Sequence, residues 1–364
     1  MENVKVIIWG LGAMGCGMAR MLLTKTGVDI VGGIDIGEKI GKPLHEVLGV
    51  DASAKTNIIV KSAKDYITEK RADIVLLCTD SFTKNAMEKM ELIINNKMNV
   101  ITSAEEMAYP AAQNPELATK LDRLAKANGV SILGTGINPG LMMDLLVVMM
   151  TGCCMDVEQI KARRVNSLSP FGKAVMEEQG VGMEPAAFNQ GIADDTVAGH
   201  VGFPESIMMI ADAIGWQLQK PLNPKNSKDA VVRQTMEAIV TDVNRRAPHG
   251  QALAGQVAGV VMNGYGLVDG KEKIIMEHPQ QIEPEQVGVQ TGDYVTIKGT
   301  PPVNLANTPE IDGGIGTIAM CVNMIPQVIN ASPGLKTMLD LPVPRAIMGD
   351  MRQRIESKVG DEHA

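Results

Sequence analysis

Three glycines near the start of the chain have the spacing of a phosphate-binding turn. Gly10, Gly12 and Gly15 form a GxGxxG pattern that directly follows the apolar run VKVIIW. In this pattern the first glycine permits a tight turn, the second lets the backbone approach a pyrophosphate, and the third allows close packing of helix on strand. The turn is therefore predicted to bind a dinucleotide. The predicted cofactor-binding residues of the turn are Gly10, Leu11, Gly12, Ala13, Met14 and Gly15.

An acidic residue, Asp35, follows this turn at the end of the second predicted strand. A carboxylate at this position accepts hydrogen bonds from the ribose hydroxyls of adenosine, and it repels a 2′-phosphate. Lys39 and Lys42 lie a few residues further on, where they either reach a phosphate or belong to a solvated loop. We therefore expect the protein to prefer NAD and to accept NADP.

Two further acidic residues, Glu105 and Glu106, directly follow the strand-like run NVITS. Open α/β sheets bind their ligands at the carboxyl ends of the strands, so one of these carboxylates is expected to point into a substrate cleft. Neighbouring residues of an extended chain point to opposite sides, so the two are not expected to share a role. The alternative is a pair of solvated carboxylates at the start of a helix.

Amide and guanidinium side chains are candidates for binding a polar substrate. Asn138 lies in GINPG, where its amide could orient a substrate or a nicotinamide, although asparagine before proline is also a common turn residue. On the predicted strand VEQIKARRVNSL, alternation puts Arg164 and Asn166 on one face and Arg163 on the other. The planar fork of Arg164 suits a carboxylate, with a surface ion pair as the alternative.

One of the five histidines has a setting unlike the others. His200 lies between Gly199 and Gly202 in a loop of small residues, which suits close approach of a ligand to the backbone. We predict a catalytic role for His200. His249 and His278 are expected to be surface or packing residues.

The elements that position these residues alternate between short apolar runs and helical segments from residue 1 to about 140. This alternation is typical of a parallel sheet with crossover helices, and continuous apolar runs such as DIVLLC indicate strands buried on both faces. The predicted strands are Lys5–Trp9, Asp29–Ile34, Ile58–Val60, Ile74–Cys78, Asn99–Thr102 and Val130–Leu133. The predicted helices are Met14–Leu23, Thr83–Asn96 and Pro115–Asn128. Residues 1–140 are therefore predicted to be an α/β domain, a doubly wound Rossmann fold.

Residues 141–310 are predicted to form a second, α+β domain with a mixed or antiparallel sheet. The runs AGQVAGVVMNGYGLV, EKIIMEHPQQI and DYVTIKG are expected to be neighbouring antiparallel strands, with turns at Val268–Lys271 and Pro284–Gly292. Such a broad, partly apolar sheet can bury one face against a second subunit, so we expect a homo-oligomer, either a dimer or a tetramer. Helices in residues 310–364 are expected to pack back on the first domain.

Length and composition limit the classes of protein to which the chain can belong. Its 364 residues exceed the roughly 250–300 at which a single core stops growing, which favours two domains. A net charge of −8 without a basic tract argues against nucleic-acid and membrane-surface partners. The five cysteines lack CxxC spacing, so neither a metal site nor a disulfide framework is expected. With no signal-like segment or membrane span recognisable, we expect a cytoplasmic protein.

Several motifs resemble those of known dehydrogenases. VLLCTDS, NVITSAEEMAYP and GTGINPGLMMD are similar to dihydrodipicolinate reductase and its relatives, in which the ends of the later strands frame the nicotinamide. The second domain lacks the SGT-type motif of that enzyme, with its paired histidines and lysine. Over essentially the full length, GINPGLMMD, AGHVGFPES, MEHPQQIEPEQVG and VNMIPQVINASPGLKTMLDLP resemble the 2,4-diaminopentanoate dehydrogenase family.

This resemblance implies an oxidative deamination that belongs to ornithine fermentation. 2,4-Diaminopentanoate would react with NAD(P) and water at C4, through an iminium, to give 2-amino-4-oxopentanoate, ammonia and reduced cofactor. Such a reaction needs a positioned base, and the family resemblance favours Glu105. Thr79 in VLLCTDS is expected at the cofactor. Arg164 with Asn166 is the expected anchor of the substrate carboxylate, and His200 is expected nearer the reacting amine.

Two other functions are compatible with these residues. A dehydrogenase of related fold could act on a carbonyl or an imine, as homoserine dehydrogenase-like and dihydrodipicolinate reductase-like enzymes do. Dependence of the reverse reaction on ammonia would separate deamination from that chemistry. A non-enzymatic NAD(H) sensor would share the cofactor domain, although polar residues at three strand ends argue against it.

Overall fold

The computed structural model describes residues 2–194, 196–219 and 232–356. Two compact units make up the chain: Met1–Gly140 with Ile315–Ala364, and Leu141–Gly314. The described helices include none that is long and apolar enough to cross a membrane.

Strands β1 to β14 are, in chain order, Val4–Trp9, Val28–Ile34, Ile74–Leu77, Asn99–Thr102, Ser131–Gly134, Asp156–Ser167, Val232–Val240, Arg245–Ala247, Gly250–Ala252, Val257–Val268, Lys271–Gln281, Gly292–Thr300, Val303–Asn307 and Gly334–Lys336. Helices α1 to α11 are Ala13–Leu23, Leu44–Leu48, Ala63–Tyr66, Thr83–Asn95, Pro115–Asn128, Leu145–Thr151, Lys173–Glu178, Pro185–Ala193, Phe203–Ile214, Gly313–Asn323 and Ile325–Asn330. Short 3-10 helices, among them Glu105–Ala108 and Pro284–Val287, lie between these elements.

The first unit contains a parallel sheet with the strand order β14-β5-β4-β3-β1-β2. All four residues of β3 are buried, which explains why its sequence is apolar without alternation. This sheet, the helices along the chain and the mixed sheet of the second unit confirm the fold class predicted from the sequence.

One predicted strand of this unit is wrong. Ile58–Val60 forms no strand, and Ile59 makes only an isolated bridge to Pro43. Strands inside a parallel sheet are buried on both faces. In this three-residue run Val60 is buried but its neighbour Ile59 is 41% exposed, so only one side of the run is covered. The sixth strand is instead β14, which pairs in parallel with β5 and comes from a C-terminal segment where only helices were predicted.

The core of the first unit packs helices against the parallel sheet. Met90 and Ile94 of α4 and Leu121 of α5 join Val75 and Val100 of the sheet in one buried cluster. Apolar residues recur at helical spacing in both helices, so each buries one face. These helices pack against β3 and β4. Polar residues of the candidate site follow the carboxyl ends of these two strands.

The second unit contains a mixed sheet with the order β13-β12-β6-β11-β10-β7. β10 and β11 form the predicted hairpin, in which Asp269 and Gly270 both have positive φ, as the favoured two-residue turn requires. The prediction that β11 and β12 are neighbours is wrong, because β6 lies between them. Apolar periodicity indicates that a segment is a strand, but it does not specify the strand with which it pairs.

The two faces of this mixed sheet differ in burial. On one face, Ile160, Met262 and Ile274 form a buried cluster with Phe203 and Ile207 of α9. Most side chains of the opposite face are half-buried or exposed, and we call it the open face. It includes Lys161, Arg163, Ile275, Glu277 and Tyr294.

Candidate active site

The glycine-rich turn joins β1 to α1, and its three glycines have different surroundings. A Cβ on Gly10 would lie 2.5 Å from the carbonyl oxygen of Cys78, and a Cβ on Gly15 would lie 1.8 Å from the carbonyl oxygen of Gly10. A Cβ on Gly12 would meet no atom within 4 Å. Packing therefore requires glycine at Gly10 and Gly15, whereas Gly12 borders open space where a phosphate can approach the backbone.

The N-terminus of α1 is suited to an anion. Gly12 is the residue before the helix, no side chain caps it, and the first turn contains no acidic residue. The free backbone N–H groups and the positive end of the helix dipole favour a negatively charged group at this point. The turn therefore fits the diphosphate of a dinucleotide.

Asp35 is held against this turn by hydrogen bonds. Its Oδ2 accepts from the backbone N–H of Leu11 (2.8 Å) and from Nζ of Lys39 (3.1 Å). Burial raises the pKa of this carboxyl group, but hydrogen bonds from the backbone of Ile36, from Lys39 and from Leu11 together lower it more, so the pKa lies below its ordinary value. Asp35 is therefore an ionised acceptor beside the turn, with a cation next to it.

Thr79 follows β3 and lies beside the same turn. A Cβ on Gly10 would lie 2.9 Å from the methyl carbon of Thr79, and the Thr79 hydroxyl accepts from Nζ of Lys89 (2.9 Å). The structure thus brings together the predicted cofactor residues: the turn, Asp35 and Thr79.

Glu105 and Glu106 have different surroundings, although both lie on the 3-10 helix after β4. Oε2 of Glu106 accepts from the backbone N–H of Thr83 (2.8 Å) and from Nδ2 of Asn114 (3.0 Å). Glu106 is 9% exposed, and these bonds fix the start of α4. The carboxylate of Glu106 therefore stabilises the start of α4.

Glu105 has the properties of a group that exchanges protons. Burial raises the pKa of its carboxyl group by more than hydrogen bonds, including one to Ser81, lower it, and the nearby carboxylates of Asp80 and Glu106 raise it further. A base is most effective when its pKa lies near the working pH. On physical grounds, Glu105 is the candidate base of the two neighbours.

Asn138 follows β5, the strand next to the one that Glu105 follows. Both Nδ2 and Oδ1 of its amide are buried, and neither has a hydrogen-bond partner among the described residues. Leaving a buried polar group unpaired costs about 1–3 kcal/mol, so an amide with two such groups is expected to meet a ligand or water. This favours a site role for Asn138 over that of a simple turn residue.

The second unit contains a buried ion pair on β6 and β12. Arg164 is 2% exposed, and its guanidinium pairs with the carboxylate of Asp293 and donates to the carbonyl of Ile311. Oδ2 of Asp293 also accepts from the backbone N–H of Ile311 (2.9 Å). The alternative of a surface ion pair for Arg164 is therefore wrong, since the pair is buried. The predicted alternation is confirmed, because Arg164 is buried and Arg163 lies on the open face. There, Nε of Arg163 is 3.5 Å from Oε2 of Glu277.

Two histidines lie beside this ion pair. The ring centroids of His200 and His278 are 4.8 Å apart, and Nδ1 of His278 is 2.9 Å from the carbonyl oxygen of Arg164. Burial, with the charge of Arg164 in addition, lowers the pKa of His200 to about 3, and burial lowers the pKa of His278 well below its ordinary value. Both rings are therefore neutral near pH 7.

His278, which the sequence suggested was a surface or packing residue, belongs to this cluster. Alternation along β11 puts Met276, His278 and Gln280 on the buried face. That pattern was readable in the sequence, but only the position of β11 next to β6 brings His278 and Gln280 beside Arg164 and Asn166.

The same face contains buried polar atoms without partners. Nε2 of His200, Oδ1 of Asn166 and Nε2 of Gln280 have no hydrogen-bond partner in the described part of the chain. Asn166 and Gln280 are opposite each other in the β6–β11 register. Three such atoms near one buried ion pair indicate a binding site for a polar molecule.

Comparisons with known proteins identify the family. A family model of the 2,4-diaminopentanoate dehydrogenase C-terminal domain matches residues 141–357. The 2,4-diaminopentanoate dehydrogenase of Acetoanaerobium sticklandii is 63% identical over 358 residues, which cover 98% of this chain and 99% of that protein. The chain belongs to the 2,4-diaminopentanoate dehydrogenase family. It is an oxidoreductase that acts on a CH–NH2 group.

More distant proteins match nearly the whole chain at lower identity. An amine dehydrogenase of Streptomyces virginiae is 23% identical over 377 residues, covering 94% of this chain and 98% of that protein. The solved structure of an amine dehydrogenase from Mycobacterium smegmatis has a TM-score of 0.81 and 23% identity, and the match covers 96% of this chain and 98% of that one. The fold is therefore shared over nearly the whole chain.

Proposed function

We propose that this protein catalyses the NAD(P)-dependent oxidative deamination of 2,4-diaminopentanoate at C4, as a cytoplasmic enzyme of ornithine fermentation. The products are 2-amino-4-oxopentanoate, ammonia and reduced cofactor. The observation that carries the proposal is the 63% identity, over 98% of the chain, to a protein named for this substrate.

The dinucleotide is assigned to the turn that contains Gly12. The open space at Gly12 and the uncapped start of α1 suit the diphosphate, and the ionised Asp35 suits the adenosine ribose. When bound, the nicotinamide supplies an acceptor for the hydride of the C–H bond next to the amine. Asp35 favours NAD, and Lys39, 3.1 Å from it, allows NADP.

Glu105 is assigned the proton transfers. Its carboxylate takes a proton from the substrate ammonium, which frees the nitrogen lone pair that assists loss of the C4 hydrogen. After that proton has been released to solvent, the same carboxylate accepts a proton from the water that attacks the iminium carbon, and it returns this proton to the nitrogen, which leaves as ammonia. Asn138 offers one amide donor and one acceptor that nothing else in the described chain uses, and it orients the reacting groups.

The cluster of the second unit is assigned the binding of a carboxylate. Asp293 and the carbonyl of Ile311 use two of the five N–H donors of Arg164, so donors remain for a substrate carboxylate beside the amide of Asn166. His200, predicted nearer the reacting amine, lies in the cluster of Arg164 and His278 instead, and its neutral ring offers Nε2 as a further hydrogen-bonding atom at this anchor. Because Asp293 balances the charge of Arg164, this anchor acts through directed hydrogen bonds more than through net charge.

A direct assay tests the proposed reaction. We expect the fastest NADH formation with 2,4-diaminopentanoate, slower NADH formation with ornithine and simple amines, and a reverse reaction that requires ammonia. A reverse reaction that proceeds without ammonia would establish a carbonyl dehydrogenase instead. Absence of turnover across this panel, with NADH bound tightly, would establish a sensor.

A double variant tests the anchor without leaving a buried charge unpaired. Arg164→Met with Asp293→Asn removes both charges and keeps an acceptor for the backbone N–H of Ile311. Loss of charge-assisted hydrogen bonds worth about 1.5–3 kcal/mol should lower kcat/KM for the diamino acid about tenfold to a hundredfold. An amine without a carboxylate should lose far less. Equal losses on both substrates would remove Arg164 from the substrate site.

The open face of the mixed sheet is proposed as the contact between subunits of a homo-oligomer. It combines apolar and aromatic side chains, such as Ile275 and Tyr294, with a charge cluster in which Glu277 pairs with Lys161 and Arg163. A face of this composition, left open in the single chain, suits a self-complementary interface.

A further inference from the structure

The C-terminal part of the first unit encloses a cleft that none of the residues assigned above lines. α11, β14 and the segment after β14 surround a volume of about 340 Å³. Small-molecule sites in proteins have volumes of about 300–1,000 Å³. The cleft therefore has room for a small organic molecule.

Hydrogen bonds fix the walls of this cleft. Nδ2 of Asn330, at the end of α11, donates to the carbonyl of Arg354 (2.8 Å), and its Oδ1 accepts from the backbone N–H of Glu356 (3.0 Å). Nζ of Lys25 donates to the carbonyl of Ile347 on another wall (2.8 Å). The cleft is thus formed before any ligand binds, which reduces the entropy cost of binding.

The charged side chains that line the cleft are positive on balance. Lys336, Arg345 and Arg354 are the cations, and Asp340 and Glu356 are the acids. Among the described residues, neither Arg345 nor Arg354 has an acidic partner within 4 Å. Two arginines without carboxylate partners can bind anionic oxygens with paired hydrogen bonds.

One of the two acids, Asp340, is already engaged. Oδ2 of Asp340 accepts from the backbone N–H of Thr337 (2.7 Å) and from its hydroxyl (2.9 Å). These bonds satisfy the carboxylate locally, so it competes little for the arginines. The guanidinium groups of Arg345 and Arg354 therefore remain available to an anionic ligand.

A buried amide gives a second, independent indication of a ligand. Gln327 lines the cleft and is only 7% exposed, and its Oε1 has no hydrogen-bond partner in the described ranges. A buried amide oxygen without a donor is costly, and a ligand hydroxyl would satisfy it.

We propose that this cleft binds a small hydroxylated anion that carries at least two phosphate or carboxylate groups. Arg345, Arg354 and Lys336 bind the anionic oxygens, and Oε1 of Gln327 accepts from the hydroxyl. The site is separate from the glycine-rich turn and does not depend on the reaction proposed above.

Three probes of graded chemistry test this site by isothermal titration calorimetry. Citrate carries three carboxylates and a hydroxyl, tricarballylate is the same tricarboxylate without the hydroxyl, and inorganic pyrophosphate carries phosphate groups. The proteins compared are the wild type, Arg345→Gln with Arg354→Gln, and Gln327→Leu. The matched control is Lys64→Gln with Arg123→Gln, which removes two exposed cations elsewhere in the first unit.

We expect the double arginine variant to bind citrate at least about tenfold more weakly than the wild type, and the control pair to bind it unchanged. Gln327→Leu should remove the preference for citrate over tricarballylate and leave tricarballylate binding intact. Tighter binding of pyrophosphate than of citrate would identify a phosphate ligand, and the reverse a carboxylate ligand. Binding at the glycine-rich turn is common to all these proteins and cancels from the comparison. The proposal is overturned if no probe binds, or if the control pair loses as much affinity as the arginine pair.

Discussion

Replacing Glu105 with glutamine removes the proposed base while keeping the size of the side chain. Glutamine can still hydrogen-bond to Ser81, so the local structure should persist, but it cannot accept a proton. Loss of a general base typically costs a factor of about 10² to 10⁴ in turnover, which corresponds to about 2.7–5.4 kcal/mol of transition-state stabilisation. Affinity for NAD should change little, because the residues proposed to bind the dinucleotide follow other strands.

The raised pKa of Glu105 adds a pH signature to this prediction. A base works in its ionised form, so kcat/KM of the wild type should fall as the pH drops through a pKa above the ordinary carboxyl value of 4.5. Glu105→Gln should not show this fall of kcat/KM at low pH, and its low activity should vary little with pH. The measurement is initial-rate NADH formation across a pH series for both proteins.

Glu106→Gln is the matched control. Glutamine keeps one oxygen for the N–H of Thr83, but the weaker neutral hydrogen bond should lower the free energy of unfolding by about 1 kcal/mol. Turnover at saturating substrate should stay within a few-fold of the wild type. If Glu106→Gln abolishes turnover and Glu105→Gln does not, the assignment of the two neighbours is refuted.

Three further predictions concern the cofactor, the histidines and the subunit contact. Lys39→Ala should lower kcat/KM with NADP about tenfold and change kcat/KM with NAD less than threefold; equal effects on both cofactors would remove Lys39 from the 2′ position. The pKa of His200 is about 3 in the folded protein and near 6.5 in the unfolded chain. Between these pH values the ring is protonated only in the unfolded state, so His200 should lower the free energy of unfolding as the pH falls from about 6.5 to 3. His200→Asn should reduce this slope by up to about 1.4 kcal/mol per pH unit in urea-unfolding series, and an unchanged slope would contradict the buried neutral ring. Light scattering should give a mass of at least two 38.9 kDa chains, and Ile275→Lys on the open face should reduce it to one; a wild-type monomer would contradict the contact.

The glycine-rich turn is the part of the protein that the sequence determined best. The apolar strand, the spacing of Gly10, Gly12 and Gly15 and the position of Asp35 are all local, so they are readable without knowing which segments meet. The structure added the reasons: two of the glycines are enforced by packing and the third borders open space.

Local patterns also separated some neighbours correctly. Alternation along β6 put Arg164 and Asn166 on the buried face and Arg163 on the other, as found. The same argument does not hold for Glu105 and Glu106, because both lie on a 3-10 helix and not on an extended strand; only the contacts of Glu106 with Thr83 and Asn114 showed that Glu106 stabilises the start of α4.

The partners of these residues were decided by tertiary structure alone. Asp293 pairs with Arg164 across 129 positions of sequence, and His278 reaches the carbonyl of Arg164 across 114. The same holds for β14, which completes the parallel sheet from the far end of the chain in place of Ile58–Val60. Periodicity reports which face of an element is buried, because burial depends on neighbours a few residues away. Which elements adjoin depends on packing the whole chain, and no local pattern encodes it.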